Sequence, residues 1–184
     1  MSQITKRALA QALKDILKTE PLSKITISDI TDAVGVSRHT FYYHFQDIFS
    51  LIMWILQEEG ESAIGRNKTI TTWSQGFSLL CEYVLENKSF ILGIYRSDGK
   101  EFLINYVRGE VKQMLRNIVE DQSRMYRVSE KEKELVASFY SYAFTGIVLD
   151  WVDRNMEEDY HFMLHTLETI LQGEINDALM RLSR

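Results

Sequence analysis

Between residues 26 and 45 the sequence reads TISDITDAVGVSRHTFYYHF, and hydrogen-bonding side chains crowd into it: Thr26, Ser37, Arg38, His39, Thr40, Tyr42, Tyr43 and His44. These groups suit recognition rather than bond-making. An Arg guanidinium forks onto the O6/N7 edge of guanine. Ser, Thr, Tyr and His donate to phosphate oxygens, contacts that set register rather than sequence. A helix capped by Ser37 would add free backbone N–H groups and the positive end of its dipole, both favourable to an anion.

Elsewhere the chemistry is thinner. His161-x-x-x-His165 shares one helical face at metal-compatible spacing, but no nearby Glu completes a zinc hydrolase motif. The two are read as polar surface positions, and neither a metal nor a cofactor is expected. The single Cys81 has no partner for a disulfide within the chain, which fits a reducing, cytoplasmic compartment. There is no phosphate-cradling Gly-rich loop, no Cys-x-x-Cys and no G-x-S-x-G, and the carboxylates are scattered. An enzyme is therefore not expected. Arg108, Lys112 and Arg116 recur at i, i+4, i+8 and read as a solvated helix face rather than a second nucleic-acid patch.

The recognition residues need a scaffold, and the same stretch supplies it. Thr26 with Asp29 forms a capping box, with Asp in place of Glu. Ile27, Ile30 and Val34 recur at helical spacing. Gly35 can adopt the left-handed conformation that ends a helix, and Ser37 can cap the next one. Phe41 and Phe45, one turn apart, face inward and leave the polar residues outside. Two short helices joined by a Gly-containing turn make a helix-turn-helix. A first helix over 3–19, with Ile4, Leu9, Leu13, Ile16 and Leu17 as its apolar face, should pack on Ile30 and Phe41. Lys6 and Arg7 at its start either reach phosphate or form a solvated helix end.

This stretch resembles the DNA-binding domain of the TetR family of bacterial transcriptional regulators, whose pattern runs T-x-x-x-I-x-x-x-A-G-V-S-x-x-T-x-Y-x-H-F. The resemblance implies phosphate contacts from Thr26, Ser37, Thr40, Tyr42, Tyr43 and His44, and base reading by Arg38 and His39. Two departures stand out. Family members often carry a small residue at the place of His39, and many carry Lys where this chain has Ile48.

The remaining chain looks like machinery for pairing and control. With 184 residues, 45% hydrophobic, one Pro and nine Gly, it has the composition of a globular all-α protein of about nine helices. No signal peptide or membrane span is expected. Up to Ile48 there are six basic and five acidic residues; the remainder holds fifteen basic and twenty-one acidic. A near-neutral head would thus precede an acidic body. Residues 1–48 are assigned to a three-helix DNA-binding domain and 63–184 to a helical regulatory and dimerisation domain. A fourth helix over 47–62 connects them, and the boundary falls in the Gly-containing stretch 60–71.

Further helices are predicted over 72–87, 89–95, 100–125, 130–155 and 159–182. The run FYSYAFTGIVLDWV, residues 139–152, is apolar almost all round and is expected to be buried on every side. The last helix carries more apolar residues than one core face needs. That surplus points to a two-fold homodimer built from the last two helices of each copy, which would read a palindromic DNA operator. Trp73, Phe77, Tyr95, Phe102, Tyr106 and Phe139 are the candidates for lining an effector site. The C-terminal half weakly resembles the family's dihydroxyacetone kinase operon activators, through Tyr-x-Phe-Thr-Gly-Ile and Trp-Val. That likeness implies a protein as an alternative to a small-molecule effector.

Overall fold

The computed structural model describes residues 2–64 and 73–183. Most of the expected boundary stretch 60–71 lies outside them, as does the side chain of Trp73. The described residues are all-helical, with no strand. In chain order the helices are α1 (Ser2–Ile16), α2 (Ile27–Val34), α3 (Arg38–His44), α4 (Ile48–Ile64), α5 (Trp73–Glu86), α6 (Lys88–Tyr95), α7 (Lys100–Gln122), α8 (Glu130–Asp153), α9 (Tyr160–Leu171) and α10 (Glu174–Leu182). The about nine helices expected are present, with the last divided into α9 and α10. Gly173, at φ +84°, places a left-handed residue between them, which a continuous helix cannot contain.

The chain divides into two compact units: Met1–Ser62 with Val84–Leu103, and Ala63–Tyr83 with Ile104–Arg184. The first unit therefore includes α6 as well as the N-terminal helices. In it α1 packs against α2 and α3, around Leu9, Leu13, Ile30 and Phe41, all fully buried. Ile4, expected in this core, is 75% exposed because it lies in the first turn of α1, beyond the bundle. α1 also ends earlier than predicted, at Ile16. Lys18 and Thr19 bond to carbonyls three residues back, and Pro21 follows shortly after. Asp47 and Ser50 cap α4 reciprocally: the Ser50 N–H donates to Asp47 Oδ1 at 2.7 Å and the Asp47 N–H to Ser50 Oγ at 3.0 Å.

In the second unit α8 starts at a capping box. Ser129 Oγ accepts from the Glu132 N–H, and the Glu132 carboxylate accepts from the Ser129 N–H. The helix is not buried on every side, contrary to the sequence expectation. Val136, Ala137, Phe144, Val148, Trp151 and Val152 form an inner face, while Leu135, Phe139 and Tyr142 are 70%, 68% and 62% exposed. By length and composition alone α8 is apolar enough to cross a membrane, a test that the core helix of a soluble protein also passes. Its inner face is filled by the unit's own core, and Trp151 Nε1 donates to the Glu158 carbonyl at 2.9 Å in the turn that follows.

An ionic lattice ties α7 to α8. Lys112 pairs with Glu134, and Arg116 reaches Glu120, Glu130 and Glu134. Lys133 bridges Glu120 and Glu130. Hydrogen bonds from Lys133 and Arg116 hold the Glu130 carboxyl below the usual range. The Lys112 ammonium does the same for Glu134. The stabilisation that these depressed carboxylates contribute is present above the ordinary Glu value near pH 4.3 and is lost as pH falls through their folded values. The melting temperature should therefore drop in acid, and less steeply in Arg116→Met than in the unsubstituted chain. Identical slopes in a thermal melt series from pH 5 to pH 3 would remove this assignment.

Candidate nucleic-acid interface

The local chemistry of residues 26–45 builds a rigid corner. The Asp29 N–H donates to Thr26 Oγ1 at 3.3 Å, and the Thr26 N–H donates to the Asp29 carboxylate at 2.8 Å. The Thr26 hydroxyl and backbone N–H also keep the Asp29 carboxyl below its ordinary value. α2 ends at Gly35, with φ +74° and ψ +33°. A Cβ there would meet nothing within 4 Å, so the constraint is the left-handed backbone itself. The Val36 N–H returns to the Thr31 carbonyl at 3.0 Å and closes the turn. Ser37 then caps α3, its Oγ accepting the Thr40 N–H at 3.2 Å and lying 3.0 Å from Thr40 Oγ1.

α3 has one anchored side. Phe41 is fully buried and Phe45 5% exposed, their ring centroids 5.8 Å apart. The opposite side presents Arg38, His39, Tyr42 and Tyr43 to solvent, the two tyrosines 57% and 78% exposed. Large exposed aromatics with free hydroxyls on a fixed helix offer phosphate and base contacts at little further ordering cost. Thr40 and His44 are half-buried flanks, the His44 ring 4.9 Å from that of Tyr43. Thr26 is exposed at the start of α2. The structure thus places all eight sequence-predicted contact residues on the α2–α3 corner.

The two cations near the start of α1 are committed within the unit. Lys6 Nζ lies 5.6 Å from the ring centroids of both Phe45 and Trp54. Arg7 pairs with Glu58 at 3.2 Å. Periodicity could not show this, because the partners are about forty to fifty residues away in the chain. On α7 the basic row is occupied too, Lys112 and Arg116 by glutamates and the Arg108 guanidinium by the Tyr142 ring at 5.4 Å.

The candidate effector residues are dispersed. Tyr95 and Phe102 belong to the first unit, and Phe77, Tyr106 and Phe139 to the second. Phe77 is buried against Phe144, their centroids 5.6 Å apart, whereas Phe102 and Phe139 are exposed. Phe102 stacks on Phe49 at 5.4 Å. The described grooves of the first unit are lined by none of the six.

Comparison with known proteins supplies what geometry cannot. The model of a transcriptional regulator C-terminal region, TetR_C_8, matches residues 71–173, more than half of the chain. The chain belongs to the TetR family of transcriptional regulators. Within it, the chain is 27% identical over 168 residues, 90% of each sequence, to the HTH-type dhaKLM operon transcriptional activator DhaS of Lactococcus lactis subsp. lactis (strain IL1403). Among solved structures, a dihydroxyacetone kinase operon activator DhaS superposes with a TM-score of 0.72 at 23% identity, covering 98% of this chain and 99% of that one. Native NalD, the secondary repressor of the MexAB-OprM multidrug efflux pump in Pseudomonas aeruginosa, gives 0.52 at 15% identity, with 100% and 99% coverage. The TetR-like fold thus extends over both described units.

Proposed function

We propose that this TetR-family chain is a sequence-specific DNA-binding regulator. It acts in the cytoplasm as a homodimer on a palindromic operator, with DNA affinity controlled by an effector bound in the C-terminal domain, residues 63–184. The observation that carries this reading is the outward face of α3, where Arg38, His39, Tyr42 and Tyr43 stand exposed over a buried Phe41. Arg38 and His39 read bases, and Thr26, Ser37, Thr40, Tyr42, Tyr43 and His44 hold the backbone.

The dimer reading rests on the second unit. Leu135, Phe139, Tyr142 and Gly146 follow one stripe of α8, and Phe162 and Ile170 are 76% and 59% exposed on α9. Gly146 would meet nothing within 4 Å if it carried a Cβ. A helix-weakening glycine with no reason in its own fold suits the close approach of a second helix. A protein effector is the second reading. The exposed Phe102 and Met125, 47% and 90% accessible and neither of them on α8, favour it.

Selecting bound fragments from the source genome and reading their common sequence tests the proposal. A palindrome is expected. Arg38→Ala should cost about 1–3 kcal/mol at one base pair of each half-site and relax the preference there. An unchanged binding motif from the same selection would remove Arg38 from the reading.

A further inference from the structure

α1 packs against α2 and α3, and long side chains span from it to α4. Lys14 has the most enclosed of these links. Its ammonium donates to both carboxylate oxygens of Glu59, at 2.7 and 3.1 Å. The two side chains are only 15% and 34% exposed. The same ammonium lies 5.8 Å from the ring centroid of Phe90 on α6, a residue 1% exposed. One charged atom of α1 therefore reaches both α4 and α6 within the first unit. Just past the end of α1, the chain approaches α6 so closely that a Cβ at Gly93 would come 2.8 Å from Leu17 Cδ2. Arg7–Glu58 is the exposed neighbour of this link, its Arg side chain 71% accessible.

We infer that Lys14 is a positioning residue: with Glu59 and Phe90 it fixes the direction in which α4 leaves the reading head, and thereby the half-site spacing that a dimer accepts. A half-buried ion pair with two-point geometry restricts a helix more than an exposed pair does, because water screens it less. Arg7 and Glu58, being exposed, add little. Lys14 touches no DNA contact residue, so its effect passes through α4. This inference rests on the dimeric DNA-binding reading and reaches beyond it to a spacing determinant.

The test uses the full chain with Lys14→Glu, Glu59→Lys and the double reversal. Two readouts are taken: hydrogen exchange along 48–60, and affinity for palindromes whose spacer is one base pair shorter or longer. Each single reversal is expected to speed exchange in α4. Each should also lower affinity for the preferred spacing by about fivefold or more and flatten the spacing preference, as coupled pairs do. Binding to an isolated half-site should stay as in the unsubstituted chain, and the double reversal should restore both readouts. Lys14→Met, which keeps the stem and drops the charge, serves if a reversal fails to fold. Unchanged exchange in the single variants overturns the inference, as does a half-site loss equal to the operator loss. If the unsubstituted chain binds no palindrome while the exchange pattern appears as expected, the latch stands as a structural element. It is then the function reading, with the spacing role built on it, that fails.

Discussion

On the α8 dimer interface proposed above, Phe139→Glu should convert the protein to monomers and cost it most of its operator affinity, while leaving each chain folded. Phe139 is 68% exposed, with Leu135 one turn before it and Tyr142 nearly one turn after. Removing it makes no cavity in the chain's own core. In a two-fold interface the substitution counts twice. Burying one Phe contributes about 1.5–3 kcal/mol, so two copies contribute roughly 3–6 kcal/mol before the cost of desolvating two carboxylates. The dimer dissociation constant should rise by about two to four orders of magnitude. Sedimentation at micromolar concentration would show this directly, and DNA binding by anisotropy should fall towards that of one half-site. A variant that still sediments as a dimer would move the interface away from α8.

Phe41→Ala should have the largest effect on stability. The ring is fully buried, lies 5.8 Å from Phe45 and meets Tyr42 edge-on at 5.9 Å. Phe-to-Ala in a core costs about 3–5 kcal/mol, through lost burial and the cavity left behind. That is a large share of a typical domain's stability of about 5–15 kcal/mol. α3 has only seven residues and depends on this anchor, since helices that short are not stable alone. Hydrogen exchange at residues 27–44 should accelerate, and DNA binding should vanish together with that protection. An unfolding free energy from urea titration within about 1 kcal/mol of the unsubstituted chain's would mean that the corner is held by its caps and turn instead.

The two variants separate what each unit contributes. On the proposed dimer, Phe139→Glu should leave a folded reading head that has lost its pair, whereas Phe41→Ala should leave the α8 stripe intact and remove the head. Half-site affinity should survive the first and not the second.

Short-range rules made the reading corner legible from the residues. Thr26 with Asp29, Gly35, and Ser37 with Thr40 act across three or four positions, so their caps and turn can be read without knowing the rest of the chain. Phe41 and Phe45 likewise reveal their shared side by spacing alone. The outward set Arg38, His39, Tyr42 and Tyr43 follows from the same period. Composition and the rarity of breakers announced an all-helical chain.

Long-range partners were not legible, because periodicity says that a face is apolar without saying what covers it. FYSYAFTGIVLDWV looked enclosed on all sides, yet Phe139 and Tyr142 face outward. Gly173 broke a helix whose apolar spacing ran straight through it. The aromatic residues offered as effector lining are divided between two units, with Phe77 engaged by Phe144. Nothing in its local sequence singled out Lys14; folding brought Glu59, forty-five residues away, against it. Sequence alone determined the helices, their caps and the outward chemistry of α3, since these depend on neighbours within a turn. Tertiary structure alone decided which apolar faces remain uncovered and which charges become paired, since those depend on groups far apart in the chain.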